Sequence, residues 1–369
     1  MKKILYITNI PSPYRTVFFN MLGKRYDLTV WYEDRKEPPS EKRDKSWEND
    51  DARFYRACYK YKLKNVRNYD LVIICGTSTI KEIQAVLYMK LHKIPYCIEV
   101  DGGYPKNDLP VKYYIKKKLM SGAMAYLSTA KMTDSYLLRY GAEKNVIYRT
   151  RFSSVPNESV VHHCLTPESK EKLKEKLNLK SGFTVLYVGR FLELKGIDVL
   201  FSAVSGLNDI NVLLIGGTLP SFLQKSVEEN NIKNLTVIDF VEPRYLKDYY
   251  QAADILVFPS RDDVWGLVVN EALANGLPVI SSTRSIAGLE LIDSETDGYV
   301  FPVDDVAGLR DCILKYKGQD SEAKITMGEN AIKKARQHTI ETMVEDHVSI
   351  FEDLLNKVSL PLLPTKNKC

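Results

Sequence analysis

Short apolar runs alternate with helical segments along the chain, and this alternation constrains the fold more than any other feature of the sequence. Typical runs are KILYIT (residues 3–8), FTVLYVG (residues 183–189) and ADILVF (residues 253–258). Continuous apolar runs of this kind are typical of strands buried on both faces of a parallel sheet. Strands that alternate with helices pair in parallel through right-handed crossovers. The sequence therefore predicts an α/β fold of two Rossmann-like, doubly wound domains that face a cleft.

The domain boundaries follow from the length and from a break in this pattern. A chain of 369 residues is too long for one ordinary core and suits two domains. Residues 151–180 lack strand signals and carry the lysine-rich run SKEKLKEKLNLK. We therefore predict one domain over residues 1–175 and a second over residues 176–340. We expect the final helix and tail, residues 341–369, to pack back toward the first domain.

The composition excludes several classes of protein. Apolar residues make up 44% of the chain and charged residues 27%, as in a soluble globular protein. There is no stretch of about 18 uncharged apolar residues, and the first three residues lead into a strand rather than a signal peptide. The six cysteines show no CxxC spacing. We therefore expect reduced thiols, no zinc site and a cytoplasmic location.

Charge is divided unevenly along the chain. Residues 1–176 contain 33 Lys and Arg against 20 Asp and Glu, whereas the net charge of the whole chain is only +5. A basic half indicates an anionic partner, and nucleic acid, an anionic membrane surface and a phosphorylated acceptor all fit. The run VKYYIKKKLM (residues 111–120) predicts a helix whose lysines and tyrosines suit anionic lipid. An ordinary solvated helix carries the same residues.

One strand–loop–helix–strand unit carries two acidic residues that its structure does not require. It reads PSRDDVWGLVVNEALANGLPVI (residues 259–280) and follows the strand ADILVF. Ligands of open parallel sheets bind outside the carboxyl ends of the strands, which places this loop and the first helical turn at a site. Asp263 lies in the loop and Glu271 lies eight positions later in the helix. These two carboxylates are candidate functional groups.

A second loop on the same edge carries two cations. GRFLELKG (residues 189–196) leaves a buried strand and opens a helix, with Arg190 and Lys195 after Gly189. A helix amino terminus together with two cations predicts an anion site that favours a diphosphate over a single carboxylate. Neither GxxxxGK[ST] nor GxGxxG is present, which argues against a Walker loop and a dinucleotide fingerprint. Gly216, in the loop IGGTLP, would let a ligand approach the backbone nearby.

Two loops of the first domain lie at the matching edge of its sheet. NIPSPYR (residues 9–15) follows the first strand and is predicted to be a turn that presents Tyr14 and Arg15. Asp101 and the pair Gly102-Gly103 directly follow a later strand. The two glycines either permit positive φ and close approach of a ligand or are required by the turn itself.

Taken together, GRFLELKG, the IGG loop and residues 259–280 resemble the motifs of retaining glycosyltransferases of family 4 (glycosyltransferase group 1 type), which have the two-domain GT-B fold. Members of that family typically show GRxxxxKG, then a Glu, seven residues and a second Glu, followed by a helix of small residues that ends in G-x-P-V. Here Glu271 holds the second Glu position, Pro278 is the proline, and Asp263 replaces the first Glu. The resemblance covers nearly the whole chain.

The resemblance implies that a nucleotide-diphosphate sugar binds to the second domain. Arg190 and Lys195 would neutralise the diphosphate as a leaving group, which needs no metal and no cofactor. Glu271 would accept from the ribose hydroxyls and Asp263 would bind hydroxyls of the transferred sugar, so the exchange of Glu for Asp bears on which sugar is transferred. The base would lie near residues 240–243. The other positions implied to contact the donor are Gly189, Gly216, Val241, Val264, Gly266 and Leu267.

Retention without a protein nucleophile implies a same-face substitution, in which a phosphate oxygen of the donor takes the acceptor's proton. Many family members also use a His after a strand of the first domain. This chain has no His there, and the resemblance places Asp101 and the backbone of Gly102-Gly103 in that position. The catalytic residues that the resemblance implies are Asp101, Arg190, Lys195, Asp263 and Glu271.

The resemblance also implies that the first domain binds the acceptor. The acceptor would be a glycan or a lipid-linked saccharide at the inner face of the cell membrane, and Tyr14 and Arg15 would contact it or the donor. The lysines that would attract it are Lys112, Lys116, Lys117 and Lys118. The implied enzyme is a metal-independent hexosyltransferase of cell-surface polysaccharide or glycan synthesis, in peripheral contact with the membrane.

Three other functions remain open. Asp263 and the missing His are compatible with a non-catalytic, nucleotide-sugar-binding partner subunit of the same fold, although the cation loop and Glu271 favour an enzyme. A phosphorylase on this fold is disfavoured because no lysine-linked pyridoxal site is evident in the sequence, and an epimerase is disfavoured because it would share only the general fold. A nucleic-acid-binding protein would explain the basic half and predicts a steep salt dependence with stacking aromatic groups. We expect no nucleic-acid partner.

Overall fold

The structure, a computed structural model, describes residues 1–33 and 51–359. These residues form two compact units. Unit 1 comprises Met1–Phe152 together with the last helix, which begins at Ile340, and unit 2 comprises Ser153–Thr339. The polar and charged composition of residues 35–51 predicts a surface loop, and this segment lies outside the described residues apart from Asp51.

Unit 1 is built on a seven-stranded parallel sheet. Its strands are β1 (Lys3–Thr8), β2 (Asp27–Tyr32), β3 (Arg56–Cys58), β4 (Leu71–Cys75), β5 (Cys97–Val100), β6 (Ala125–Ser128) and β7 (Ile147–Arg149). Its helices are α1 (Pro13–Gly23), α2 (Ile80–Leu91), α3 (Pro110–Met120), α4 (Lys131–Arg139) and α13 (Ile340–Ser359). The strand order is β3-β2-β1-β4-β5-β6-β7. Of these strands only β3 is not predicted, because its three residues form no apolar run.

Unit 2 repeats this architecture with six parallel strands. Its strands are β8 (Thr184–Val188), β9 (Asn211–Ile215), β10 (Leu235–Ile238), β11 (Ile255–Phe258), β12 (Val279–Ser282) and β13 (Gly298–Phe301). Its helices are α5 (Pro167–Lys176), α6 (Ile197–Val204), α7 (Ser221–Glu229), α8 (Pro243–Ala252), α9 (Leu267–Ala274), α10 (Ile286–Leu291), α11 (Val306–Lys317) and α12 (Ser321–Gln337). The strand order is β10-β9-β8-β11-β12-β13, and β8 and β11 are buried throughout.

In both sheets the strand order reverses beside the first strand of the unit. β1 lies between β2 and β4, and β8 lies between β9 and β11. Crossovers on the two sides of that point therefore run in opposite directions, which is the doubly wound arrangement predicted from the sequence. In folds of this kind, ligands bind next to the loops that leave neighbouring strand ends at this point. In unit 2 these loops are the ones after β8 and β11.

The chain leaves unit 1 at Phe152, earlier than the boundary predicted at residue 175. The reason is that the intervening residues pair with unit 2. The Val161 N–H donates to the Ala274 carbonyl at 2.9 Å, and the following helix, α5, packs against α8. The absence of strand signals in this stretch marks a change of unit, but it does not locate the point at which the change occurs.

Lys174 anchors helix α5 to unit 2. Only 2% of its side chain is exposed, and its ammonium donates to the Gly182 carbonyl at 2.6 Å and to the Asp254 carboxylate at 3.2 Å. Glu171, one turn earlier, accepts from the same ammonium at 2.8 Å. A buried ammonium with three oxygen partners is compensated electrostatically. The lysine-rich run is therefore part of the folded unit rather than a solvated connector.

Helix α13 completes the core of unit 1 although unit 2 precedes it in the sequence. It packs against α1, and the Phe351 ring lies 6.3 Å from that of Tyr6 and 5.9 Å from that of Tyr26. His347 of the same helix is fully buried. Within the described residues, no helix combines the length and the apolar character needed to span a bilayer.

We expect Lys174→Ala to lower the free energy of unfolding by about 3 kcal/mol, because it leaves the Asp254 carboxylate without its cation. Urea unfolding at neutral pH measures the difference. Lys172→Ala is the matched control, since Lys172 is exposed on the same helix, and it should stay within about 0.5 kcal/mol of the wild type. Equal stability of the Lys174→Ala variant and the wild type would contradict the anchoring role.

Candidate active site

Two loops of unit 2 lie side by side where its strand order reverses. Loop 189–196 follows β8 and loop 259–266 follows β11, and these strands are neighbours in the sheet. The Arg261 N–H donates to the Leu194 carbonyl at 2.8 Å, and the Ser260 hydroxyl donates to the same carbonyl at 3.2 Å. The two segments distinguished by their charged residues in the sequence therefore form one surface. It lies at the sheet edge where ligands of such folds bind.

Glycine is required at two positions where the backbone leaves the sheet. Gly216, after β9, has a φ of 139°, and a Cβ there would lie 2.2 Å from the Gly189 carbonyl oxygen. Gly266, before α9, has a φ of 102°, and its Cβ would lie 2.8 Å from the Phe258 ring and 3.0 Å from the Ser285 hydroxyl oxygen. A side chain at either position would strain the backbone and force these groups apart. Packing between loops thus accounts for both glycines.

Lys195 and Asp263, predicted to serve different parts of a ligand, form an ion pair. Lys195 Nζ donates to Asp263 Oδ2, and the side chains are 13% and 18% exposed. Lys195 Nζ also lies 5.8 Å from the centroid of the Phe258 ring. Asp263 Oδ1 accepts from the Trp265 N–H at 3.4 Å. Because the two charges already balance each other, an anion that binds Lys195 must share it with Asp263 or displace the carboxylate.

Arg190 differs from Lys195 because its charge is not balanced by a neighbouring carboxylate. Its side chain is exposed, and among residues 1–33 and 51–359 the guanidinium has no hydrogen-bond or ion-pair partner. Its backbone is fixed, since the Arg190 carbonyl accepts from the Tyr187 hydroxyl at 3.0 Å. A fixed backbone with an unpartnered guanidinium suits recognition of an external anion.

Arg261 ties the two loops together, and the sequence pattern does not distinguish it. Its guanidinium donates to both carboxylate oxygens of Asp198, in the first turn of α6, at 2.9 and 2.6 Å. It also donates to Asp304 at 2.6 Å and to the Glu193 carbonyl at 2.6 Å. In the sequence, Arg261 is recognisable only as an arginine at a strand end, because its partners lie far away along the chain. Arg261 is thus a structural cation, whereas Arg190 is available to a ligand.

Glu271, in the second turn of α9, lines a cavity of about 420 Å³. The cavity lies between α8, α9 and residues 154–159, and Arg244 and Lys247 of α8 also line it. The Tyr250 hydroxyl donates to Glu271 Oε2 at 2.7 Å. Burial raises the pKa of Glu271, and the hydrogen bond from Tyr250 opposes that rise. Glu271 therefore has a defined orientation in a cavity that is also lined by two cationic side chains and by Glu158.

The segment predicted to face a base reaches this cavity at one end. Pro243 lines the cavity. Phe240 is 56% exposed and Val241 is half-buried, and neither is among the lining residues. Residues 240–243 therefore lead from the edge of the sheet to the cavity that contains Glu271.

The backbone positions predicted to contact the ligand lie at the start of α9. Val264 is 59% exposed, Gly266 is buried and Leu267 is the first residue of the helix. The buried Trp265 fixes this turn, because its indole N–H donates to Asn270 Oδ1 at 2.7 Å. The helix amino terminus is thus held firmly next to loop 189–196.

In unit 1 the loops predicted to form a site hold a buried charge cluster instead. Pro13 starts α1, so Arg15 lies in the first helical turn rather than in a preceding loop. The Arg15 side chain is 4% exposed and donates to Glu99 at 2.6 Å and to Asp101. Both carboxylates occupy the guanidinium, so the predicted contact of Arg15 with a ligand is not available. Tyr14 is half-buried against Phe152, with ring centroids 5.7 Å apart.

Asp101 keeps a carboxylate that is 33% exposed, but Arg15 balances its charge. Burial raises the pKa of Asp101, and Arg15 acts in the opposite direction. His347 extends the cluster, with Nε2 3.5 Å from Glu99 Oε2 and Nδ1 2.7 Å from the Met343 carbonyl oxygen. That Asp101 takes the role of the His used by many members of the family stays a prediction. The structure shows that the Asp101 carboxylate accepts from Arg15, which orients it.

Of the two glycines after Asp101, Gly103 is explained by packing. Gly102 and Gly103 both lack positive φ. A Cβ on Gly103 would lie 2.9 Å from the Tyr136 ring. Of the two explanations left open by the sequence, the requirement of the turn is the one that fits Gly103.

Helix α3 presents an apolar face to solvent. Val111, Tyr114 and Ile115 are 72%, 67% and 58% exposed, and Leu109, just before the helix, is 78% exposed. Of the helix residues only Met120, at its end, is buried. An exposed apolar strip of this kind marks an interaction surface.

The lysines of α3 fall into two groups. Lys116 lies over aromatic rings, with its ammonium 4.6 Å from the centroid of Tyr136 and 4.4 Å from that of Tyr140. Burial lowers the pKa of Lys116, and this lysine is not available to a partner. The others are exposed beside the apolar strip. We call the following residues together the α3 surface: Leu109, Val111, Lys112, Tyr114, Ile115, Lys117 and Lys118.

Metal-binding groups and disulfides do not contribute to this site in the described part of the chain. No set of three or more His, Cys, Asp or Glu side chains between residues 1–33 and 51–359 is arranged to hold a metal ion. The thiols of Cys58, Cys75, Cys97, Cys164 and Cys312 are free. Cys369 lies outside the described residues. That the reaction needs no metal stays a prediction.

Comparison with known proteins relates the unit 2 geometry to an enzyme family. Residues 169–334 match the family model for glycosyl transferases group 1. The matched region contains loop 189–196, loop 259–266 and Glu271, and it contains nothing of unit 1.

Curated relatives match different shares of the chain. D-inositol 3-phosphate glycosyltransferase of Corynebacterium kroppenstedtii is 31% identical over 202 residues, which is 51% of this chain and 44% of that protein. An uncharacterized glycosyltransferase of Methanocaldococcus jannaschii is 24% identical over 78% of this chain and 86% of its own length. The chain therefore spans less than half the length of the Corynebacterium relative.

Solved structures match over both units. HepE of Anabaena in complex with UDP has a TM-score of 0.77 and 15% identity, and the match covers 96% of this chain and 100% of that one. Sucrose-phosphate synthase of Thermosynechococcus elongatus has a TM-score of 0.74 and 18% identity, with coverage of 97% and 100%. At these identities the matches show the fold. The predicted α/β class, two Rossmann-like domains of the GT-B type, is confirmed.

We expect Arg15→Met to lower the free energy of unfolding by about 3–5 kcal/mol at pH 7, because Glu99 would stay buried without its cation. In the wild type, burial alone would raise the pKa of Glu99, but Arg15 and His347 hold it down to about 2. The contribution of Glu99 to stability is therefore present above its ordinary pKa of 4.5 and lost as the pH falls toward 2.

The difference between the two proteins should consequently shrink across that pH range, as measured by urea unfolding at several pH values. Glu99→Gln in the Arg15→Met background should restore part of the stability at pH 7. A difference that does not change with pH would contradict this account of the cluster.

Proposed function

We propose that this chain is a retaining glycosyltransferase that moves a sugar from a nucleotide-diphosphate sugar to a saccharide acceptor. The observation that carries the proposal is the set of groups at the strand reversal of unit 2. There, the unpartnered guanidinium of Arg190, the Lys195 ammonium and the Glu271 cavity lie on the two loops and the helix that meet at one sheet edge. The family match over residues 169–334 supports this class of enzyme.

The two cations suit a diphosphate leaving group. Negative charge builds up on the leaving phosphate as the glycosidic bond to it breaks, and fixed cations stabilise that charge. Arg190 needs no rearrangement to bind a phosphate, whereas Lys195 must first share its contact with Asp263. The Asp263 carboxylate then accepts from hydroxyls of the transferred sugar. In this way both roles implied by the family motif are kept, without a metal.

Glu271 and its cavity suit the nucleoside end of the donor. A carboxylate accepts from the two neighbouring hydroxyls of a ribose, and residues 240–243, which lead to the cavity through Pro243, lie on the side where the base would bind. HepE, a neighbour in fold, has been solved with UDP and with UDP-glucose. We extend that chemistry to this chain and propose a nucleotide-diphosphate hexose as the donor.

We further propose that the acceptor is a lipid-linked saccharide in cell-surface glycan synthesis, bound on unit 1. The α3 surface supports this, because an apolar strip flanked by exposed lysines suits the boundary of an anionic membrane. Retention follows from the same-face substitution described for the family. Asp101, paired with Arg15, serves in this proposal as an acceptor-side hydrogen-bond acceptor.

A non-catalytic, donor-binding partner subunit is the second candidate function. The ion pair of Lys195 with Asp263 favours it, since a cation already bound to protein is a weaker stabiliser of a leaving group. Turnover separates the two functions. Tight donor binding with no release of nucleoside diphosphate in the presence of acceptor would support the partner subunit and exclude the enzyme.

The donor class is tested first by thermal shift with UDP, GDP and ADP sugars, in which the nucleotide that binds raises the melting temperature. With that donor, we expect Lys195→Ala to reduce turnover by about 100-fold or more, because it removes a cation from the leaving group. Lys225→Ala is the control, since Lys225 is 75% exposed on α7. A full rate in the Lys195→Ala variant would show that the diphosphate assignment is wrong.

The membrane contact is tested by co-sedimentation with phosphatidylcholine vesicles that contain phosphatidylglycerol. We expect the double variant Lys117→Ala, Lys118→Ala to bind about 30-fold more weakly, since each lysine near an anionic surface contributes about 1 kcal/mol. The control is Lys62→Ala, Lys64→Ala, which removes the same charge from another exposed part of unit 1. Equal losses in both pairs would indicate a general charge effect and exclude a dedicated α3 surface.

A further inference from the structure

The Tyr250 hydroxyl lies where it can orient the Glu271 carboxylate, and the proposed function assigns it no role. Tyr250 is in the last turn of α8 and is 2% exposed. Its hydroxyl donates to Glu271 Oε2 at 2.7 Å. Both residues line the cavity of about 420 Å³.

The chemistry of this contact fixes its direction. Burial, followed by the neighbouring Glu271, raises the pKa of Tyr250 well above its ordinary value, so the phenol keeps its proton and donates to the carboxylate. A donor on Oε2 restricts the rotation of the carboxylate and leaves Oε1 outside that bond. The Ser154 hydroxyl, which also lines the cavity, acts with Tyr250 in opposing the rise in the pKa of Glu271. Hydrogen bonds to a charged group are stronger than neutral ones and are sensitive to geometry.

We propose that Tyr250 is a positioning residue for nucleoside recognition. It binds Oε2 of Glu271 so that Oε1 accepts from a ribose hydroxyl of the nucleotide in the cavity. This inference rests on the proposed function, because it takes the ligand to be a nucleotide. It adds a residue from α8 that acts on the ligand through Glu271 and touches neither the sugar nor the phosphates.

A purely structural hydroxyl would have a different signature. The contact joins α8 to α9 inside unit 2, so the loss of the hydroxyl should cost some stability under either explanation. Only the positioning role predicts a loss of nucleotide affinity that depends on the ribose hydroxyls. A ligand without the hydroxyl that Glu271 binds should be insensitive to Tyr250, because the oriented oxygen then has nothing to accept from.

The experiment is a binding cycle on the whole chain. UDP, GDP and ADP are titrated calorimetrically into the wild type, and the tightest binder is compared with its 2′-deoxy and 3′-deoxy forms. The same titrations are made with Tyr250→Phe, which removes only the hydroxyl. Tyr245→Phe is the matched control, because Tyr245 lies on the same helix, is 57% exposed and does not line the cavity. Glu271→Gln is titrated in parallel and does not depend on the folding of the tyrosine variant.

We expect Tyr250→Phe to weaken binding of the ribonucleotide about tenfold and to change binding of one deoxy form by less than about twofold. Tyr245→Phe should match the wild type with every ligand. Glu271→Gln should show the same dependence on the ribose hydroxyl as Tyr250→Phe. Equal losses for ribo and deoxy ligands, or a Glu271→Gln variant indifferent to the ribose hydroxyls, would overturn the positioning role. A wild type that binds none of the three diphosphates would overturn the proposed function itself, and the inference with it.

Discussion

The reversal of strand order between β8 and β11 is the constraint on which the candidate site depends. On either side of that point the crossovers go to opposite faces of the sheet, and the loops after β8 and β11 leave neighbouring strand ends there. Arg261 then joins the loops, because its guanidinium donates hydrogen bonds to Asp198 and to the Glu193 carbonyl. Lys195 and Asp263 come together because of this topology, not because of their positions in the sequence.

The cationic side chains of the molecule are of two kinds. Some are bound to protein oxygens and serve the structure, whereas others are available to a ligand. Arg15, Lys174 and Arg261 each donate to two or more protein oxygens, and Arg15 and Lys174 are almost fully buried. Burying such an ion is tolerable only because its partners are fixed beside it. Arg190 is exposed and has no such partner in the described part of the chain. No contact within unit 2 accounts for the position of this guanidinium in a glycine-bounded loop. Binding of a ligand would account for it.

Much of the fold follows directly from the sequence, because strands buried on both faces must be continuously apolar. β1, β8 and β11 are predicted for that reason. The strand β3 is missed because an edge strand of three residues needs no apolar run. The unit boundary is missed because a lysine-rich helix looks solvated until the oxygens around Lys174 are known.

The site was predictable to the extent that its residues lie at strand ends. Loop position and residue type place Arg190, Lys195, Asp263 and Glu271 at one edge of unit 2. Loop position and residue type do not predict which side chains form pairs. The Lys195 ion pair, the Arg261 contacts and the Tyr250 hydrogen bond are therefore known only from the structure. The same limit explains Arg15, whose position after the first strand suggested a ligand contact, while Glu99 and Asp101 lie more than 80 residues away.

The ion pair of Lys195 with Asp263 bears on how a donor would be recognised. The pair is largely buried, so taking Lys195 away from Asp263 leaves a carboxylate that needs new hydrogen-bond donors. A diphosphate supplies the anion for Lys195 but no donor for Asp263, whereas the hydroxyls of an attached sugar supply donors. Within the proposed function, the diphosphate therefore replaces Asp263 as the partner of Lys195, and the sugar hydroxyls replace Lys195 as the partners of Asp263. Recognition of the sugar is in this way coupled to recognition of the diphosphate, through the carboxylate that pairs with Lys195.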